Sequence, residues 1–130
     1  RCTDMASVYV ITTRQMDEAT KKAFYQAVNE ALVPTFPLYC LMLQTLPNAA
    51  SGRFNQNQTA AFICVPPTMD LERRRTVAQS LESAMHKVFP SDEQEGTGLT
   101  VIFPYHTADC CGKHGVLRCD VEATKKQPVK

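Results

Sequence analysis

The feature that most constrains this chain is an internal repeat. Shifting the sequence by 53 positions lays Ser7-Val8-Tyr9-Val10-Ile11-Thr12 on Ala60-Ala61-Phe62-Ile63-Cys64-Val65 without a gap. In the same register Met16-Asp17 falls on Met69-Asp70, Lys21-Lys22 on Arg74-Arg75, Gln26 on Gln79, Val28 on Leu81, and Ala31-Leu32 on Ala84-Met85. A period of this size marks one supersecondary unit used twice, so the fold of the first copy dictates that of the second.

Each copy reads as a strand followed by a helix. Val8 to Thr13 is a β-branched and aromatic run, and Asp17 after it suits a helix N-cap or an acidic first turn. Ala23, Phe24, Ala27, Val28, Ala31 and Leu32 then recur at helical spacing. In the second copy Val77, Leu81, Ala84, Met85, Val88 and Phe89 share one helical face, Pro66 and Pro67 break the preceding strand, and Pro90 closes the helix. Either Thr68 or Asp70 could cap its start. Further apolar runs follow the helices, Leu38 to Leu46 and Leu99 to Phe103. Their return crossovers predict parallel pairing within each β-α-β unit and right-handed connections.

The expected fold class is therefore α+β: two β-α-β repeats forming a four-stranded mixed sheet with two helices on one face. Residues 1–6 read as an N-terminal extension, 7–121 as the domain and 122–130 as a polar tail, with Asn48 to Thr59 an exposed loop between the repeats. Helices on one face leave the other face and two edges to be covered. A homo-oligomer answers this, with bare faces meeting in a trimeric or dimeric core and short strands such as Val116 to Cys119 reaching onto a neighbour.

Composition excludes several classes. With 14 basic against 13 acidic side chains the net charge is +1, so no global field draws the chain to nucleic acid or anionic lipid. The run Arg73-Arg74-Arg75 lacks interleaved aromatics and reads as a solvated helix face. No apolar run approaches the roughly 18 residues of a membrane span. Of six cysteines, Cys40 and Cys64 lie in apolar strand-like runs where a free thiol behaves as a small hydrophobe. A reducing compartment is expected, the cytoplasm first, with an organelle after transit-peptide removal or unconventional secretion as alternatives. Arg1 to Ala6 has no apolar signal region, and the sequon Asn57-Gln58-Thr59 would matter only in a secreted protein.

The stretch Leu99-Thr100-Val101-Ile102-Phe103-Pro104 followed by Gly112-Lys113-His114-Gly115-Val116 resembles the Phe-Phe-Pro and Gly-Lys-Ile-Gly-Thr-Val segments of the tautomerase superfamily, in its macrophage migration inhibitory factor and D-dopachrome tautomerase branch. The duplication, the chain length and the position of the Ser51-Gly52 loop agree. The resemblance covers residues 7 to 119 and implies a homotrimer with an active site between subunits. There an N-terminal proline amine, its pKa lowered by burial, removes a proton α to a carbonyl.

The catalytic positions implied by the resemblance are Ser7 for the proline, Thr35 for a lysine at the end of the first helix, and Val101 for an asparagine or arginine of the fourth strand. An amide nitrogen inside a chain has no basicity, and neither Thr35 nor Val101 offers a cation for an enolate. The expectation is a pseudoenzyme that binds another protein or serves as a structural module, without a cofactor. The alternative is an active tautomerase or related isomerase of keto-enol substrates using a different base, such as a Ser7 amine freed by processing after Ala6.

His106, Asp109, Cys110, Cys111, His114 and Cys119 are of types that zinc selects, but adjacent cysteines lack the gap of zinc knuckles and the segment reads as a structural loop. Cys110 or Cys111 with His106 or His114 would also give a nucleophile pair, for which no orienting third group is visible. Tyr9, Tyr25, Tyr39 and Tyr105 read as core or interface aromatics, and His86 as an exposed residue.

Overall fold

The computed structural model describes residues 5–46, 58–65, 68–91, 98–104 and 106–121. The chain runs β1 (Met5–Thr12), α1 (Glu18–Leu32), β2 (Leu38–Thr45), β3 (Thr59–Cys64), α2 (Leu71–Val88) and β4 (Leu99–Ile102). A 3-10 turn at Ala108–Cys110 and two short strands, β5 (Gly112–Lys113) and β6 (Val116–Leu117), follow. Of the expected exposed loop from Asn48 to Thr59, residues 48–57 lie outside the described residues, as do the Pro66-Pro67 break, Tyr105 and the 122–130 tail, while Thr59 is instead the buried first residue of β3, drawn in by its pairing with Thr12.

The four main strands form one sheet in the order β2-β1-β3-β4. β1 pairs parallel with β2 and β3 parallel with β4, as the crossovers require, while β1 meets β3 antiparallel. The mixed sheet with two main helices is thus as expected. One boundary moves: Met5 and Ala6, placed in an extension by the sequence, are the first two residues of β1, where they pair with Leu38 and Tyr39. Ala6 is small and apolar enough to continue the buried side of the strand, at 2% exposure.

The repeat register carries through to the core. Phe24, Val28 and Leu32 are the buried residues of α1, and adding 53 gives Val77, Leu81 and Met85, all buried in α2. The sheet face beneath them comes from Ala6, Val8 and Val10 of β1 and from Ala61 and Ile63 of β3. Val8 pairs with Ile63 and Val10 with Ala61, so the two copies interlock at the centre of one core. Thr12 and Thr59 end this seam with a buried hydroxyl-to-hydroxyl hydrogen bond of 2.8 Å. Two hydroxyls facing each other satisfy a polar requirement that either alone would leave open.

Both helices start on an aspartate. The Asp17 carboxylate accepts from the Thr20 N–H at 2.7 Å and the Asp70 carboxylate from the Arg73 N–H at 2.7 Å, which resolves the second cap in favour of Asp70 over Thr68. The hydrogen bonds from Thr20, side chain first and then backbone, hold the Asp17 carboxyl below its ordinary value of 3.8.

Because period-two alternation sends every second side chain to the other face, the side of the sheet away from the helices is left bare. Leu38 (61% exposed), Met42 (52%), Tyr9 (38%), Ile11 (39%) and Ile102 (40%) lie there.

Leu81→Ala should lower unfolding free energy by about 2–5 kcal/mol, measured by urea denaturation, because Leu81 is a buried residue of the shared core. Asp70→Ala should cost about 1 kcal/mol, with Asp70→Ser recovering most of it. Asp17 contributes stability that is present above its ordinary carboxylate value and lost as pH falls through the lowered one. The gap in melting temperature between wild type and Asp17→Asn should therefore shrink as pH is taken below 3.8.

Candidate functional site

Ser7 is the third residue of β1, half-buried on the bare face, with Cys40 of β2 beside it on one side and Cys64 of β3 on the other. The Cys40 thiol donates to the Ser7 hydroxyl at 3.4 Å. Burial, followed by the neighbouring Cys111 and Cys40 thiols, pushes the Cys64 thiol above its ordinary value of 9.0. Ser7 thus stands inside a strand between two thiols rather than at the strand's head, and its nitrogen is a peptide amide.

Thr35 lies in the turn after α1, where its N–H donates to the Leu32 carbonyl at 3.0 Å. Its own carbonyl accepts from Nη2 of Arg73 at 3.4 Å. The sequence around Thr35 holds no basic residue, yet the fold delivers a guanidinium to it from the first turn of α2. Arg73 stays exposed, in keeping with the solvated-face reading of the arginine run, and Arg75 pairs with Glu72 on its own helix.

Val101, in β4, is half-buried and packs against the core on the helix side of the sheet, paired with Ala61. Ser7 faces the other side, and β3 lies between their strands. Within one subunit the Ser7 and Val101 side chains do not converge.

The segment after β4 does not gather its zinc-type side chains. Among the described residues no group of three or more His, Cys, Asp or Glu is placed to hold a metal ion. His106 Nδ1 sits 3.2 Å from the Pro104 carbonyl, Cys110 accepts from the Thr107 hydroxyl at 3.5 Å, and Cys119 donates to Asp120 at 3.8 Å. Among the described residues no cysteine hydrogen-bonds a histidine, so the nucleophile pair is not assembled either. The five described cysteines, Cys40, Cys64, Cys110, Cys111 and Cys119, are free thiols.

The Gly112-to-Val116 motif has a backbone explanation. β5 and β6 form a hairpin whose two turn residues, His114 (φ 54°) and Gly115 (φ 78°), both lie in the left-handed region, as a two-residue hairpin turn requires. A Cβ on Gly112 would stand 2.9 Å from the Val116 carbonyl oxygen, so glycine is needed for the strands to close. The Arg118 N–H continues the ladder to the Cys111 carbonyl at 2.8 Å.

Two features escaped the sequence reading. His86 is half-buried, its Nε2 3.0 Å from Glu82, whose other oxygen accepts from the Leu99 N–H at 2.9 Å and so ties α2 to the start of β4. Arg14, only 8% exposed, stacks its guanidinium 4.1 Å from the Phe89 ring centroid. The i,i+4 spacing of Glu82 and His86 on α2 was a local signal for the first, whereas Arg14 and Phe89 meet from segments far apart in the chain. Tyr39, by contrast, packs against the core, within the core-or-interface reading, and donates its hydroxyl to Asn29 at 2.7 Å between β2 and α1.

The fold of the chain is that of the 4-OT and macrophage migration inhibitory factor structures. Among solved structures it is similar to a fused 4-OT, wild type, in an asymmetric trimer, with a TM-score of 0.74, 12% identity, and 89% of this chain and 98% of that one covered. MIF2 of Leishmania major aligns at a TM-score of 0.66 and 9% identity over 87% of this chain and 97% of that one. The macrophage migration inhibitory factor of Toxoplasma gondii aligns at 0.57 and 10% over 85% and 98%. Neither a protein-family model nor a curated protein sequence matches this chain.

Gly112→Ala should open the β5–β6 hairpin. Hydrogen exchange at the Arg118 amide should then quicken several-fold while amides of β1 keep their protection.

Proposed function

We propose that the chain is the subunit of a homo-oligomer, a trimer, which does not carry out proline-dependent tautomerisation and works as a protein-binding or structural module. The observation that carries the oligomer is the bare sheet face. Five large apolar side chains stand exposed there opposite a packed core, and contiguous apolar surface of that kind is normally covered by a partner. The similar fused 4-OT structure is a trimer, which supports the same copy number here.

Loss of the proline reaction is supported by the chemistry of Ser7. Its nitrogen belongs to a peptide bond within β1, flanked by β2 and β3, and an amide cannot accept a proton from a carbon acid near neutral pH. Val101 brings only a hydrocarbon to the position of a hydrogen-bond donor.

One observation favours the alternative, an active keto-enol tautomerase or isomerase with a different base. Arg73 brings to Thr35 an exposed cation of the sort that holds an enolate or a substrate carboxylate. The two readings part in an assay of phenylpyruvate tautomerisation. The module reading expects no turnover above buffer; turnover that disappears when the chain's N-terminal amine is blocked, or in Arg73→Ala, would overturn it.

Light scattering on the purified chain should give three times the subunit mass. Met42→Asp, which places a charge on the bare face without entering the core, should yield a folded monomer with unchanged circular dichroism.

A further inference from the structure

β2 is an edge strand without the features that normally keep an edge from pairing. It ends the order β2-β1-β3-β4, and among the described residues it pairs only with β1. Natural edges are blunted by brevity, charged side chains, proline or a bulge. The opposite edge, β4, is short, at four residues. Leu38-Tyr39-Cys40-Leu41-Met42-Leu43-Gln44-Thr45 runs for eight and holds no charged residue, proline or glycine. Its register with β1 is unbroken from Met5 opposite Leu38 to Thr12 opposite Thr45, so it has no bulge. The outward N–H and C=O groups of such a strand form a template for a second neutral strand.

We infer that the subunit, when apart from the face-to-face oligomer, pairs through β2 with β2 of a second copy of the chain, antiparallel, joining the two four-stranded sheets edge to edge. One strand taken from each of two copies closes a contact about a two-fold axis, which sets the strands antiparallel and keeps all the helices on one side of the joined sheet. Charge is matched, because neither strand brings an ionised group to the other. The contact is continuous with the bare face, since Leu38 and Met42, 61% and 52% exposed, gain apolar neighbours across the new seam. Opposed residues must share a face, so full overlap centres the pairing on Leu41 or on Met42. In either register the two copies of Met42 stand opposite, about 5 Å apart, or one diagonal step away. A face-bound neighbour resting on Leu38 and Met42 stands over this edge, so the two contacts exclude each other, and β2 pairing withdraws subunits from the oligomer by mass action. For that competition alone the inference rests on the oligomer reading.

Ile102→Asp and Ile11→Asp each place a charge on the bare face from strands other than β2, and so give the separated subunit with its edge intact. Both are concentrated and followed by light scattering, circular dichroism and hydrogen exchange. Folded protein of twice the subunit mass is expected, with alternate amides of β2 gaining several-fold protection over the dilute sample while amides of β4 do not change. Adding Met42→Lys, at an exposed position, sets two ammonium groups against each other across the axis and should return the folded monomer. Variants that stay monomeric at every concentration overturn the inference, as does a dimer that Met42→Lys leaves intact or one whose added protection falls on β4. Those results leave the oligomer reading standing wherever wild type has three times the subunit mass. Wild type of twice the subunit mass, dispersed by Met42→Lys but not by Ile102→Asp, overturns the oligomer reading and upholds the pairing.

Discussion

The antiparallel seam between β1 and β3 is the contact on which the rest of the molecule depends. Each β-α-β copy has a helix over two parallel strands, too little surface to enclose a core by itself. Joining the copies at their first strands sets Val8 against Ile63 and Val10 against Ala61, and brings the buried faces of α1 and α2 over one continuous apolar floor. The two helices then pack on each other as well as on the sheet.

That arrangement also creates the surface that gives the chain its proposed role. A sheet covered on one side hides the even-numbered residues of β1 and the odd-numbered residues of β3, and shows the alternate set. Tyr9, Ile11, Leu38, Met42 and Ile102 are chemically core residues left in water. Ser7, Cys40 and Cys64 stand among them, so the position that resemblance marks for a catalytic amine lies within the expected subunit contact. What this surface can do depends on strand register: Ser7 is a mid-strand residue between thiols, and its amide is committed to the chain.

Much of the fold was legible in the residues. The repeat predicted the first helix start, both buried helical faces and the parallel pairs, and left the second start between Thr68 and Asp70, because periodicity of side-chain burial is a local consequence of helix and strand geometry. The strand boundary was less legible. Met5 and Ala6 lack the β-branched character of the run after Ser7, and they enter the sheet only because β2 extends far enough to pair with them. The candidate site was legible in part. Ser7 was found through the repeat, but its two cysteine neighbours come from strands 33 and 57 residues onward in the chain (40 − 7 and 64 − 7), and pairing across strands leaves no trace in local pattern. Arg73 reaches Thr35 from a different helix, so the absence of basic residues around Thr35 in the chain was a poor guide to the charge there.

By itself the sequence determined the unit and its duplication: strand, amphipathic helix, return strand, twice over, since these follow from backbone geometry and side-chain spacing within a single segment. It also showed that the first strand holds no proline. Only the tertiary structure decided which faces meet, that Ser7 and Val101 look to opposite sides of the sheet, and that Cys40, Ser7 and Cys64 form a row while His106, Cys110 and His114 do not form a cluster. Those outcomes depend on register and chain reversal between distant segments, where the free energy lies in pairs of residues and not in any one stretch of them.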